Sequence, residues 1–272
     1  MKIINRRTAL ASLGLFGGSA LLSGCGGQAS GEPGASPSFL PPSAVPVPDS
    51  PGKWTYRKLD PVAVGERAYA MYSDGGCMYA IVGSVMRSLA EKLGEPFRSF
   101  PYEMMRYGNA GLGGWGSVCG IVNGCAALIG LFQNGKEAKR REELITDICV
   151  WYEHTPLPVY QPVQPAWAED VTPSVADSLL CHVAVSNWCK VTGCEVTCDE
   201  RRERCRRASV DGVIRVVDLL NRNAVDPNCE CLNLTSETQA CLECHGPREL
   251  RNSMGRMNCA TCHTFEGDHP AP

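Results

Sequence analysis

Cys119-Gly120-Ile121-Val122-Asn123-Gly124-Cys125-Ala126-Ala127-Leu128-Ile129-Gly130-Leu131-Phe132 is the stretch that decides what fold this chain can have. A glycine run, Gly108 to Gly116, leads into it. Glycines ahead of a helix can cradle phosphate, but no Lys-Ser/Thr follows, as a phosphate-binding loop of that kind needs. The pattern instead predicts a buried helix, with Gly120, Gly124 and Ala127 letting other helices come close. Cys119 and Cys125 are six positions apart, about 600° of helical rotation, so both cannot be helical and share a face. Cys119 is therefore placed in the loop just before the helix.

Working outward, the neighbours read as helices too. Pro61–Tyr72 and Cys77–Leu93 carry apolar residues at helical spacing, with Met78, Ile81, Val82, Val85, Leu89 and Leu93 on one stripe. Gly94 stops the second, and Tyr102–Tyr107 is a further short helix. Lys136–Glu153 is long, amphipathic and bears Cys149; Pro156 and Pro158 end it. Thr155–Pro173 is proline-rich and crosses without regular structure. Helix returns over Ser174–Val191, with Cys181, His182 and Cys189, and again over Asp199–Leu220. From Asn223 periodicity fades. The fold class expected is mostly α: a helical module over residues 54–222, then an irregular tail over 223–272.

That tail carries Cys241-Leu242-Glu243-Cys244-His245 and Cys259-Ala260-Thr261-Cys262-His263. Both are C-x-x-C-H, the attachment signature of a c-type haem. Two thiols a helical turn apart form thioethers to the porphyrin vinyls, and the next residue, His245 or His263, reaches the iron as proximal ligand. Two zinc-binding C-x-x-C hairpins would leave the adjacent histidine unexplained in both copies. Two covalent c-type haems are expected, and a tail with so few apolar residues folds on its cofactors or not at all.

The other end is an address. Met1–Arg7 is basic, Ala9–Leu22 is apolar and small, and Leu22-Ser23-Gly24-Cys25 reads as a lipobox. Residues 1–24 are thus a signal peptide, with Cys25 lipidated, and 25–53 a flexible Gly/Pro/Ser/Ala tether. The pair Arg6-Arg7 followed by Thr8 resembles a twin-arginine export signal. Removing Lys2, Arg6 and Arg7 from 26 basic residues leaves 23 against 29 acidic ones, a net charge of −6. No net basic surface is available to displace the counterions of a nucleic acid. Aromatic residues are only 7% of the chain, low for a core of this size, and haem macrocycles would supply the missing apolar bulk. Of sixteen cysteines, one is the anchor and four belong to the haem motifs. Several of the rest lie inside apolar helical runs, as metal ligands would. Disulfides are expected for Cys194, Cys198, Cys205, Cys229 and Cys231, as in exported cysteine-rich chains.

Cys119…Gly124-Cys125-Ala126, followed by Cys149, resembles the redox-active C-GCAxxG-C-C family. Joined to two C-terminal C-x-x-C-H motifs, it resembles the split-Soret cytochromes c, over roughly Asp60 to His263. The resemblance implies a mostly helical homodimer with two bis-His haems per subunit, packed close to those of the partner. It also implies an iron–sulfur cluster, taken here as 2Fe-2S, in the helical part. The closing glycine, Gly130, comes one residue late for this motif. A second register starts the glycine-bounded segment at Cys119-Gly120 and makes Cys77 the preceding cysteine. Cys119 belongs to both; Cys125, Cys149 and Cys77 are the next cluster candidates, with Cys189 in reserve.

Beyond the proximal pair, three histidines remain for two distal positions: His182, in an apolar run, then His154 at a helix end, and His269 near the terminus. Met254 and Met257 could give His/Met ligation instead. Arg201, Arg202, Arg204, Arg206 and Arg207 form the one basic concentration, a solvated helix face or a counter-charge for haem propionates or an acidic electron-transfer partner. The sequence is thus expected to be an exported, lipid-anchored electron carrier on the periplasmic or cell-surface side, exchanging electrons with redox proteins. The alternative is a multihaem reductase in which one haem keeps an open site for a small inorganic substrate.

Overall fold

Asp60 starts the first helix of the computed structural model, which describes residues 54–133 and 138–264. Its carboxylate accepts from Val62 N (2.9 Å) and Ala63 N (3.4 Å), and Pro61 at the first helical position has no N–H to satisfy. Helix α1 spans Pro61–Leu93 but is broken at Gly76 (φ 79°, ψ −165°), which matches the two segments expected on either side of it. A Cβ at Gly76 would lie 2.5 Å from Asn109 Oδ1, so the break is both a conformation and a fit that only glycine allows. Gly94 caps the end with its N–H on Ala90 O (2.8 Å). The short helix is a 3-10 turn, Tyr102–Gly108. Cys119 is the N-cap of α2, Gly120–Phe132, the position that the rotation argument required.

The remaining helices are α3 (Ala138–His154), α4 (Cys181–Thr192), α5 (Asp199–Val225) and α6 (Ser236–His245), with a last 3-10 turn at Cys259–Thr261. Among the described residues β-structure is limited to two isolated antiparallel bridges, Val118–Leu180 and Leu157–Ser174. Helix α5 lies along α1, and Asn221 ties them by donating to Leu59 O (2.8 Å) and accepting from Leu59 N (3.1 Å). Helix α2 wedges against both. A Cβ on its Gly124 would stand 3.0 Å from Ile81 Cβ of α1, and one on Gly212 of α5 would stand 2.6 Å from Ile121 Cγ2. Around these approaches Ile81, Val85, Leu89, Leu128, Ile129, Leu144, Ile148, Val213 and Leu220 are essentially out of water. Each contributes about 1.5–3 kcal/mol of burial free energy. Among the described residues no helix is long and apolar enough to cross a membrane.

Several expectations are corrected here. The helix expected from Ser174 begins only at Cys181, because the backbone of 174–180 is engaged elsewhere: Ser174 pairs with Leu157, and Leu179 O accepts from Cys119 N (2.8 Å). The arginine run of α5 is not a solvated face. Arg204 and Arg207 are each 2% exposed, and Arg206 lies over the rings of Tyr69 and Tyr72. Arg207 pairs with Glu203 (2.8 Å), itself 2% exposed. The tail is less independent of the module than its composition implied. Helix α5 runs through 222 to Val225, and the segment beyond it is fastened to α3. Asp147 Oδ2 accepts from Leu232 N (2.9 Å), and Glu153 Oε1 accepts from Asn258 N (3.2 Å). Thr261 Oγ1 then donates to Asp177 O (2.5 Å). Every cysteine from Cys77 to Cys262 is a free thiol, including the five expected in disulfides. Cys198 caps α5, accepting from Arg201 N (3.2 Å), while Cys205 faces inward. The signal, the tether, the Cys25 anchor and His269 fall outside the described residues.

Candidate metal centre and haem-attachment segment

The antiparallel bridge between Val118 and Leu180 sets the first pair of thiols side by side. Cys181 N donates to Ser117 O (2.7 Å) and Cys119 N to Leu179 O, so Cys119 and Cys181 emerge beside one another. The Gly76 break delivers Cys77 to the same place, and the inward face of α5 delivers Cys205. These four thiols line a cavity of about 220 Å³, closed by Tyr72, Ile121, Tyr152, Arg201 and Arg204 and opening past Gly114, Gly116, His182 and Val196. Among the described residues no three Cys, His, Asp or Glu side chains converge tightly enough to grip a single bare ion. The thiols stand around a space instead, one several times the ~30 Å³ share of a water molecule. A polynuclear group fits that arrangement better than a lone cation.

Electrostatics point the same way. Cys77, Cys119 and Cys181 each sit at the start of a helical segment, where the macrodipole favours negative charge. Cys119 is pulled down to about 6, chiefly because the Cys181 thiol donates to it, with Tyr152 and the Arg204 charge alongside. Cys181 is pushed up by the same shared proton, and Cys77 by burial and by the neighbouring thiols. Arg204 is the least expected group. It is 2% exposed, its Nη1 reaches Cys205 Sγ at 4.0 Å, and its Nε has no hydrogen-bond partner. A buried guanidinium without a counter-anion costs on the order of several kcal/mol. A cluster bound through four thiolates is an anion, and it would supply that counter-charge.

Of the cluster candidates taken from sequence, Cys77 and Cys119 therefore come together, and Cys125, Cys149 and Cys189 do not join them. Cys125 is fully buried between α2 and α5 and donates to Gly212 O (3.4 Å). Cys149 is on α3 and does not line the cavity; burial and then the Glu153 charge push its thiol up. Cys189 is on α4 toward Cys198. Cys181 and Cys205 were missed. Their partners lie far away in sequence, and no spacing rule connects them; the one local signal was a cysteine beside an arginine within an apolar helical register.

At the haem segment, α6 carries Cys241, Cys244 and His245, and the 3-10 turn carries Cys259. The two motifs are neighbours: burial and then the adjacent Cys241 thiol push Cys259 up. His245 Nδ1 is 3.0 Å from Asn252 Oδ1. Donation to that amide oxygen puts the proton on Nδ1 and the lone pair on Nε2, the tautomer that iron ligation needs. His263 and Cys244, Cys262 are exposed, and Met254 is wholly so. His154 ends α3 beside this segment, within electrostatic reach of Glu237 on α6. His182 is elsewhere: it is exposed at the mouth of the thiol cavity, with Nδ1 2.9 Å from Gly116 O.

Residues 81–219 match the family model described as "Putative redox-active protein (C_GCAxxG_C_C)". Over 220 residues the chain is 31% identical to a split-Soret cytochrome c from Desulfovibrio desulfuricans, covering 78% of this chain and 77% of that one. The chain belongs to the split-Soret cytochrome c family. A solved structure from the same family agrees, with a TM-score of 0.73 at 30% identity, covering 80% of this chain and 95% of the other. That Desulfovibrio desulfuricans split-Soret cytochrome c is described as holding a novel iron centre. Membership makes this chain an electron-transfer redox protein, and the helical fold is that of the split-Soret cytochromes.

Proposed function

We propose that this chain is an exported, lipid-anchored electron carrier holding two covalent c-type haems and an iron–sulfur cluster of the 2Fe-2S kind. Cys241 and Cys244 attach one haem and Cys259 and Cys262 the other, with His245 and His263 as proximal ligands. Cys77, Cys119, Cys181 and Cys205 hold the cluster. The observation that carries the cluster is the four-thiol cavity with the buried Arg204 guanidinium in its wall, its Nε without a hydrogen-bond partner. The cluster, when bound, supplies a one-electron couple; the chain's residues hold it, balance its charge and keep water from most of its surface. The last turn of α3 joins both centres, since Tyr152 lines the cavity and Glu153 anchors the haem segment. His154 is the distal ligand favoured by position, with His182 second. Function as a homodimer with redox proteins as donor and acceptor, on the periplasmic or cell-surface side, completes the proposal.

Covalent haem is tested by acid–acetone extraction and intact mass. Colour should stay with the polypeptide and the mass should exceed the apo chain by two haems; colour lost to the solvent overturns the haem assignment. For the cluster, Cys181→Ser and Cys205→Ser should each abolish the electron paramagnetic resonance signal of the reduced centre, while Cys125→Ser and Cys149→Ser preserve it. The reverse pattern would return the ligand set to the one read from the motif. A high-spin ferric signal from one haem of the wild-type protein would favour the reductase alternative.

A further inference from the structure

We propose that Cys229 and Cys231 form a redox-active dithiol, distinct from the haem motifs and the four-thiol cavity, that exchanges with small disulfides. Cys229-Glu230-Cys231 runs without helix between α5 and α6, directly after the turn that Cys229 N closes on Asp226 O (3.0 Å). Arg140 of α3 is aimed at the pair. Its Nη2 donates to Cys229 Sγ (2.9 Å) and to Cys229 O (3.0 Å). The guanidinium is pinned from behind, with Nε on Asn223 Oδ1 (2.8 Å) and Nη1 on Glu143 (3.0 Å). Cys231 Sγ turns back toward Cys229 O (3.8 Å). Both thiols are half-buried, so a small reagent can reach them.

A guanidinium donating to sulfur stabilises the thiolate. The same fixed positive charge disfavours a metal cation there, which argues for sulfur chemistry over zinc. The two cysteines are not equivalent. Arg140 bonds Cys229 directly, whereas burial pushes the Cys231 thiol up, with Arg140 pulling against it and Asp147 reinforcing the rise. Cys229 is therefore the attacking thiol and Cys231 the resolving one.

The Cys229 thiolate attacks one sulfur of R–S–S–R; that bond breaks and RS⁻ leaves with the electron pair, giving Cys229–S–S–R. Cys231 then loses its proton to the departing thiolate and attacks the Cys229 sulfur, expelling the second RS⁻, which is protonated by solvent. The dithiol is oxidised by two electrons and the disulfide is reduced to two thiols. Residues two apart in the chain are separated by at most about 6.6–7.2 Å, close to the range a disulfide bridges, so a bond between Cys229 and Cys231 can close.

The full-length holoprotein is equilibrated in glutathione buffers of graded potential, quenched with acid, alkylated, and cut after Arg222, Glu230 and Glu237. Under reducing conditions residues 223–230 and 231–237 should separate as singly alkylated peptides. Under oxidising conditions they should remain joined, two hydrogens lighter than their sum. Cys231→Ser should trap glutathione on Cys229. Arg140→Met should slow the reaction of Cys229 with glutathione disulfide about tenfold, and Arg140→Lys less. Separate glutathionylation of both cysteines, bridging to any other cysteine, or no change across the buffers would overturn the proposal. If Arg140→Met loses its haem spectrum, the Cys231→Ser trap still decides.

Discussion

Arg204 brings a charge to a place where protein supplies no carboxylate bond for its Nε, and Cys205 Sγ is 4.0 Å from its Nη1. A unit charge at that distance is worth up to ~4 kcal/mol at an effective dielectric near 20. Arg204→Met should therefore lower the reduction potential of the proposed cluster, because reduction adds negative charge that the guanidinium favours; Arg204→Lys should recover part of it. An unchanged potential in protein film voltammetry would remove Arg204 from that role. Asp211 makes a separate test of burial. It is 8% exposed and accepts from Val159 N and Tyr160 N (both 2.9 Å), yet desolvation raises it from 3.8 to about 6. The folded value lies above the unfolded one, so its contribution to stability is complete below about pH 4 and is lost as pH rises through 6. The loss is at most about 3 kcal/mol. Urea titrations from pH 4 to 7.5 should show that fall in wild type and a flatter profile in Asp211→Asn.

Helix α1 shows how one residue divides an element into two jobs. Before Gly76 it packs on α5, where a Cβ at Gly65 would meet Val210; after it, the helix starts afresh with Cys77 lining the cavity and Ile81 also close to α5 at Gly212. Gly76→Ala would force a side chain into φ 79° and against Asn109, costing about 1–3 kcal/mol. It should also displace Cys77, so the iron content beyond haem should fall while the haem absorption bands stay. Much of this scale was legible in sequence. The break, the cap at Gly94 and the loop placement of Cys119 follow from local rules about glycine and helical rotation. The start of α4 was not legible, because Ser174 and Leu179 are drawn into backbone pairing with residues remote in the chain. For the same reason Cys181 and Cys205 could not be recognised as partners of Cys119, whereas C-x-x-C-H, a wholly local pattern, could. The arginine run misled because its composition is that of a surface, while Glu203, Tyr69 and the cavity satisfy it from inside.

For the whole molecule, the division of labour between helical part and tail can be tested by truncation. A chain ending at Asp226 keeps all four cavity thiols, all of α5 and its cap, and loses both haem motifs. It forgoes the Leu232 bond to Asp147 and the Asn258 bond to Glu153, but Asp147 retains Arg215 (2.7 Å). We expect it to fold and to take up the cluster without haem, as judged by visible absorption and electron paramagnetic resonance of anaerobically prepared, reduced protein. A colourless or aggregated product would mean that both centres need one another.

The four thiols of the cavity come from four separate elements: the second half of α1, the cap of α2, the first residue of α4 and the inner face of α5. No helix contributes two. Nothing shorter than the assembled bundle can therefore present the site, and whatever binds there becomes a cross-link closing three long loops at once. Such a linkage runs in both directions. Uptake of the proposed cluster would tighten the packing of every helix that donates a thiol, and loosening any one of those helices would weaken the hold on it. The metal content of a preparation would then record how completely the chain has folded.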